Sequence, residues 1–328
     1  MRWRFWLGVA ISVILVVLIV RQVQLNQLIS ILRSARYQPL VLGVLSLLTT
    51  LVIRSWRWQQ LLEPIKRIRM PNLLSATSIG AMTDMVFPAR AGDVVRAYVI
   101  GRKEEVGAMV SLSTIVVERV FDVVTILLIS VCLLPFLGFG MGRQPLASGL
   151  GAGILVATFL CLALLGGLWL LRSRTAQATG LVRTILFFLP KPWLDRIVTS
   201  LESFVIGLKA IRGGWHLVSI LGLSILLWSA FALSNLFILS SFGLQLPPYS
   251  AFLFLVFQVL GVTLPSSPGF IGTYHAAVLA GFAVFEVSQD LALSVAITMH
   301  AAFFFPFILL GFIFLWRENL SFAELLRI

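Results

Sequence analysis

The residues of this sequence that could do chemistry are charged side chains embedded in apolar segments. Placing one such charge in a membrane costs about 2.5–3.5 kcal/mol, so a charge there indicates a function or a strong partner. Two neighbouring stretches, around residues 84–96 and 118–122, hold these side chains. They are Asp84, Arg90, Asp93, Arg96, Glu118, Arg119 and Asp122.

The pattern of arginines and acids permits two interpretations. Glu118 and Asp122 are four residues apart and therefore share one helix face, with Arg119 at its edge. In the first interpretation, the acids lock the arginines and only hold the structure together. In the second, they orient Arg90, Arg96 and Arg119 toward a lipid phosphate, for which the planar guanidinium is well suited. We favour the second interpretation for the group as a whole.

The segment PSSPGFIGTYH, residues 265–275, has a different chemistry. A helix that restarts after Gly269 would point its free N–H groups and positive end at an anion. Alternatively, the prolines and glycines only let the chain reverse and pack closely. His275 is either a proton carrier or a hydrogen-bonded core residue. The candidate binding residues of this segment are Ser266, Ser267, Pro268, Gly269, Gly272, Tyr274 and His275.

The composition excludes a soluble protein. The chain has 328 residues, of which 59% are hydrophobic and only 12% charged, and its mean hydropathy is +1.01. Soluble domains carry about 25% charged residues. The net charge of +12 matches anionic lipid headgroups better than nucleic acid, so we expect no nucleic-acid partner. Cys132 and Cys161 lie in apolar runs, and neither a metal nor a cofactor is expected.

The hydrophobic segments predict an all-α polytopic membrane protein, since a crossing helix needs about 20 apolar residues. Lysines and arginines are concentrated in alternate loops, which places both termini in the cytoplasm and the chain in the inner membrane. The six predicted spans lie near 3–20, 37–53, 107–135, 149–171, 215–241 and 289–316.

Two further apolar segments must begin and end on the same side of the membrane. Residues 72–101 lie between cytoplasmic charges, and residues 250–285 are interrupted at PSSPG. Each therefore predicts a re-entrant hairpin, a structure that is tolerated where the irregular backbone is buried or faces a wet cavity. Both breaks have the form Pro-x-x-x-Gly, at 88–92 and 265–269.

The order of elements predicts an inverted repeat of one membrane domain. Residues 1–137 and 149–317 each run span, amphipathic segment, span, hairpin and span, with opposite polarity. The amphipathic segments are 21–36 and 193–211, of which the second predicts a helix in the interface plane. Transporters built this way bind their cargo near the bilayer midplane, where broken helices meet. The alternative is that two Pro-x-x-x-Gly breaks arise by chance.

Three motifs resemble the lysylphosphatidylglycerol synthetase transmembrane-region (YbhN-like) family. They are PARAGDVVRAYVIGRK (88–103), VVERVFD (116–122) and PSSPGFIGTYHAAV (265–278), and the likeness extends over essentially the whole chain. The resemblance implies lipid translocation or the handling of a lipid carrier. His275 stands where many members carry an acid, and no soluble aminoacyl-transferase domain follows the motifs. By position the resemblance points to Arg90, Gly92, Asp93, Arg96, Glu118, Arg119, Asp122, Pro268, Gly269 and Gly272.

These patterns predict a flippase and not an enzyme, because no nucleophile elbow, P-loop or dinucleotide motif is present. The expected cargo is an anionic phospholipid or a polyprenyl-phosphate-type lipid, with its headgroup on Arg90, Arg96 and Arg119. The alternative is a non-transporting partner that presents a lipid-linked substrate to a separate glycosyl- or aminoacyl-transferase. An oligomer and a separate lipid-modifying enzyme remain open as partners.

Overall fold

The described part of the chain is helical and contains no strands. The computed structural model describes residues 30–31, 33–87, 91–140, 173–188, 190–209, 213–264 and 267–325, with isolated positions between 156 and 167. The helices are α1 (Tyr37–Leu62), α2 (Met70–Val86), α3 (Gly92–Glu104), α4 (Ala108–Gly140), α5 (Thr175–Ile185), α6 (Lys191–Lys209), α7 (Gly214–Ser241), α8 (Ser250–Thr263), α9 (Thr273–Ala283), α10 (Gln289–Arg317) and α11 (Phe322–Leu325).

Three of these helices, α1, α7 and α10, are long and apolar enough to cross a membrane. They coincide with the predicted spans 37–53, 215–241 and 289–316, and the chain is an integral membrane protein. The predicted span 107–135 corresponds to α4, which begins at Ala108 and continues through Pro135 to Gly140. The predicted spans 3–20 and 149–171 fall outside the described residues, apart from the isolated positions.

Helix α1 differs from its prediction in one respect that matters for the site. It does not end at residue 53 but continues to Leu62, so that Arg54 and Arg57 lie on the helix and not in a cytoplasmic loop. The same side of this extension is well packed, because Trp58, Leu61 and Leu62 are completely buried.

Two pairs of short helices occupy the segments predicted as hairpins. Helices α2 and α3 pack against each other, and so do α8 and α9. The longest of the four, α2, has 17 residues and a length of about 26 Å. This is shorter than the ~30 Å hydrocarbon core of a bilayer. The two pairs are called hairpin 1 (α2–α3) and hairpin 2 (α8–α9) below.

Hairpin 1 is closed by small residues and one carboxylate. A Cβ atom on Gly80 would lie 2.7 Å from the carbonyl oxygen of Gly92, so the two helices touch at their backbones. The Gly92 amide donates a hydrogen bond of 2.8 Å to Oδ1 of Asp84. Gly92, a predicted binding residue, is buried in this helix contact. Pro88 and Arg90 lie outside the described residues.

Hairpin 2 turns through glycines in the left-handed region. Gly269 has φ +75° and Gly272 has φ +93°, a backbone conformation that glycine adopts without steric cost. The carbonyl oxygen of Gly269 accepts a hydrogen bond of 2.8 Å from Nε2 of His300 on α10. Pro265 and Ser266 lie outside the described residues.

The turn of hairpin 2 packs against hairpin 1. Residues 268–270 contact α2, and Phe270 belongs to the same buried cluster as Ala81 and Met85 of α2. The two interrupted segments, which are far apart in the sequence, therefore meet in space.

The predicted amphipathic helix at 193–211 corresponds to α6. Val198 and Val205 are buried, and the helix packs on α4, whereas Trp193 is 61% exposed. The earlier amphipathic segment, 21–36, lies almost entirely outside the described residues.

Candidate functional site

A cavity of about 670 Å³ lies where the two hairpins meet α1, α4 and α7. This volume is in the range of small-molecule sites. Its charged lining residues come from α1 to α4 and its neutral polar ones from α7 to α9, while most other lining side chains are apolar. The charged residues are Arg54, Asp84, Asp93, Arg119 and Asp122, and the neutral polar ones include Ser234, Asn235, Gln258, Thr263 and Tyr274. This space is called the central cavity below.

Arg119 connects hairpin 1 to α4 on the wall of the cavity. Its Nε and Nη2 atoms donate to the two carboxylate oxygens of Asp93 at 2.8 and 2.6 Å. Its Nη1 atom lies 3.2 Å from Oδ2 of Asp122. The pairing with Asp93 has the bidentate fork geometry of a strong arginine–carboxylate bond. About a third of the Arg119 side chain, 36%, remains accessible.

Arg57 of α1 lies behind this wall and is completely buried. Its Nη1 atom donates to Oδ1 of Asp122 at 2.7 Å and to the Ser224 hydroxyl at 2.7 Å. Its Nη2 atom donates to Oε1 of Glu118 at 2.8 Å. Glu118 and Asp122 thus share one helix face, as their spacing predicts, and both turn toward α1.

Arg96 is also held by a carboxylate and does not line the cavity. Its Nη2 atom forms an ion pair with Oε2 of Glu118, and its guanidinium stacks 4.0 Å above the Trp58 ring. The side chain is 2% accessible. The sequence pattern predicts that Arg96 presents its guanidinium to a phosphate. The structure instead buries it in an ion pair, because Glu118 and Trp58 satisfy its charge and its planar faces.

Arg54 and Asp84 differ from the other charged residues of the cavity. Arg54 makes no hydrogen bond or ion pair with any residue in the described ranges, although its side chain lines the cavity. Asp84 accepts the hydrogen bond of the Gly92 amide and makes no ion pair within the same ranges. Both side chains are partly buried.

The neutral wall is a hydrogen-bonded network. Gln258 Nε2 donates to Oδ1 of Asn235 at 2.9 Å and to the Tyr274 hydroxyl at 2.9 Å. Asn235 Nδ2 donates back to Gln258 Oε1 at 3.1 Å. These bonds tie α7, α8 and α9 together without any charge.

The other predicted residues of hairpin 2 that the structure describes lie beside the cavity and not on its wall. His275 packs edge-on against His300, with ring centroids 4.9 Å apart. Ser267, Pro268, Gly269 and Gly272 shape the turn, whereas Phe270 and Tyr274 line the cavity.

A family model of the lysylphosphatidylglycerol synthase TM region matches residues 5–311. The chain belongs to this family. It is 26% identical to the glycosyltransferase AglD of Haloferax volcanii over 318 residues, which is 90% of the chain and 51% of AglD. It is 22% identical to a UPF0104 membrane protein of Methanocaldococcus jannaschii over 313 residues, which is 92% of the chain and 91% of that protein.

The chain therefore spans about half the length of AglD and nearly the whole length of the UPF0104 membrane protein. No solved structure matches the chain.

The motifs that carry the family resemblance meet at the central cavity. The first motif supplies Asp93, the second supplies Arg119 and Asp122, and the third supplies Tyr274. Arg90 and Ser266, which the sequence analysis includes in the site, lie outside the described residues.

Arg54 and Arg57 are not among the predicted site residues. Both directly follow the predicted span 37–53, where lysine and arginine commonly mark the cytoplasmic end of a span. One signal was available, since the three-residue spacing places them on one side of a helix. Glu118 and Asp122 also require cationic partners at membrane depth.

Proposed function

We propose that this protein moves a lipid with an anionic headgroup across the cytoplasmic membrane. The headgroup occupies the central cavity while the acyl or prenyl tails stay in the bilayer. The observation that carries this proposal is the cavity itself, which combines five charged side chains with a largely apolar lining. A lipid headgroup with its first tail carbons has this same mixture of charge and apolar surface.

The proposed topology has six full spans and two re-entrant hairpins arranged as an inverted repeat, residues 1–137 and 149–317. The short helices of both hairpins support it, because none of the four reaches the length of a full span. The contact between residues 268–270 and α2 also supports it, since paired broken helices meet at the cargo site of inverted-repeat transporters. Both termini are proposed to be cytoplasmic.

Among the predicted arginines, Arg119 is the one that the structure describes on the cavity wall. Asp93 and Asp122 fix its position, so that the accessible part of the guanidinium can meet a phosphate without reorganising. Transport of this kind requires no covalent step, and we propose that the protein acts without a catalytic residue or a cofactor.

The proposal is tested by reconstituting the purified full chain in liposomes that contain NBD-labelled phosphatidylglycerol. Dithionite then reports how fast inner-leaflet lipid reaches the outside. We expect the wild type to accelerate this exposure at least tenfold over empty vesicles and Arg119→Ala to abolish most of the gain. Arg67→Ala, at an exposed arginine, is the matched control and should retain the wild-type rate.

Two results would count against the proposal in different ways. Equal rates for the wild type and Arg119→Ala would remove the proposed site. Rates equal to those of empty vesicles, for phosphatidylglycerol and for a labelled polyprenyl-phosphate hexose, would remove the transport function.

A second candidate function is that of a membrane partner that presents a lipid-linked substrate to a separate transferase. The match to half of a protein named as a glycosyltransferase favours it. The purified chain separates the two functions. Flipping by the protein alone supports transport, whereas lipid binding without flipping supports the presenting role.

A further inference from the structure

We propose that Arg54 and Asp84 together bind a lipid phosphodiester that carries hydroxyl groups. The guanidinium of Arg54 binds the phosphate, and the carboxylate of Asp84 accepts hydrogen bonds from the hydroxyls. This inference rests on the proposed function, because it assigns the headgroup class and the residues that read it.

Arg54 differs from the neighbouring arginines in the partners of its guanidinium. Within the described ranges, carboxylates hold the guanidiniums of Arg57, Arg96 and Arg119. The Arg54 guanidinium has no such partner there and lines the cavity. A cation at this depth is costly unless an anion approaches it, and a phosphate offers the bidentate geometry that arginine prefers.

The charges around the cavity limit the charge of the ligand that can bind there. In the described part of the chain, Arg54, Arg57, Arg96 and Arg119 face Asp84, Asp93, Glu118 and Asp122, so the ionised cluster is neutral without a ligand. A phosphodiester adds one negative charge. A diphosphate adds at least two beside the carboxylates of the wall, and like charges in a region of low dielectric repel strongly.

The carboxylate of Asp84 can accept further hydrogen bonds. Its Oδ1 atom receives the Gly92 amide, and no ion pair with a described residue occupies the carboxylate. A carboxylate can accept several hydrogen bonds. A hydroxyl donor satisfies it without adding charge to the cavity.

Two classes of lipid combine a phosphodiester with hydroxyl groups. One is phosphatidylglycerol, whose glycerol hydroxyls follow the phosphodiester. The other is a polyprenyl-phosphate hexose, in which the hydroxyls of the sugar follow the phosphodiester. Native mass spectrometry of the purified full chain measures the dissociation constants of both lipids, of polyprenyl diphosphate, and of phosphatidylmethanol, a phosphodiester without a hydroxyl.

We expect at least one of the two hydroxylated phosphodiesters to bind at least tenfold more tightly than the diphosphate. The tighter of the two identifies the source. Arg54→Gln should weaken binding of phosphodiesters by about ten- to a hundredfold, which corresponds to one charge-assisted hydrogen-bond pair. Arg54→Lys should retain part of the affinity, and Arg67→Gln, at an exposed arginine, should retain all of it.

Asp84→Asn isolates the hydroxyl contact, because the asparagine oxygen can still accept the Gly92 amide. The variant should weaken binding of the preferred hydroxylated phosphodiester about tenfold and leave the affinity for phosphatidylmethanol unchanged. The affinities of Asp84→Asn therefore test the proposal even if Arg54→Gln fails to fold.

The inference is overturned if none of these lipids binds, if the diphosphate binds more tightly, or if neither variant changes the affinities. These binding results are independent of transport. A chain that flips phosphatidylglycerol but binds it equally without Arg54 keeps the proposed function and loses this site. A chain that binds through Arg54 but does not flip keeps this site and loses the transport function.

Discussion

The two hairpins of this protein are built from different interactions. Hairpin 1 carries charged groups, and its Arg96 and Asp93 are tied to α4 through ion pairs with Glu118 and Arg119. Hairpin 2 is neutral along the cavity, where Tyr274 and Gln258 form hydrogen bonds and glycines shape the turn. Breaking a buried ion pair leaves an uncompensated charge, at a cost of about 3–5 kcal/mol. A neutral hydrogen bond contributes only about 0.5–1.5 kcal/mol.

This difference indicates a division of roles. In the proposed function, hairpin 1 is the rigid side that holds charges in register for a headgroup. Hairpin 2 is the side that can rearrange at low cost, because no buried ion pair within the described ranges fixes it.

The largest expected effect is the loss of the carboxylate that serves two buried arginines. Glu118→Gln leaves both Arg57 and Arg96 without part of their charge compensation, and we expect the free energy of unfolding to fall by about 3–5 kcal/mol. Thermal unfolding of the purified protein in detergent measures this change. Glu63→Gln, at an exposed glutamate at the end of α1, should melt at the wild-type temperature. An unchanged melting temperature for Glu118→Gln would show that hairpin 1 does not depend on its ion pairs.

A smaller effect is expected at the turn of hairpin 2. Gly269→Ala forces a side chain onto φ +75° and places its Cβ atom 3.0 Å from Phe304. Such strain costs about 1–3 kcal/mol. We expect a lower melting temperature and an altered flipping rate, with ion pairs of hairpin 1 unaffected.

The matched control is Gly222→Ala, since a Cβ atom at Gly222 meets open space within α7. It should be neutral or slightly stabilising. If both glycine variants behaved alike, the left-handed turn would not be a constraint on hairpin 2.

The smallest effect concerns the end of hairpin 1 outside the membrane-spanning helices. Lys103 Nζ lies 2.6 Å from Glu318 Oε1, and the Ser75 hydroxyl donates to the same carboxylate at 2.8 Å. Partial burial raises the pKa of Glu318, but the hydrogen bonds of Lys103 and Ser75 outweigh this and lower the pKa below 4.5.

A lowered pKa means that this contact stabilises the protein above pH ~4.5 and is lost as the pH falls below that value. Lys103→Gln should therefore cost less than about 1 kcal/mol at neutral pH, as is usual for exposed pairs. The difference in melting temperature between the variant and the wild type should vanish in acid. A difference that persists at pH 3 would mean that Lys103 acts by packing and not by charge.

The helical elements were largely predictable, whereas the partners of the charges were not. Runs of apolar residues mark α1, α7 and α10, and the Pro-x-x-x-Gly breaks mark both hairpins. Arg57 escaped prediction because a basic residue at the end of an apolar run looks the same whether it snorkels to the interface or turns inward. Arg96, in contrast, was among the predicted site residues. Its proximity to Glu118 was predicted, but its stacking on Trp58 was not.

The amino-acid sequence by itself determined that this chain lies in a membrane, that its helices break at two places, and that Glu118 and Asp122 lie on one face of an apolar helix. These properties follow from hydropathy and backbone stereochemistry, which are local. Only the tertiary structure decided which guanidiniums pair with carboxylates, and that Arg54 lines the cavity without such a partner among the described residues. The physical reason is that an ion pair depends on a few ångströms of distance between helices, and no local pattern encodes that distance.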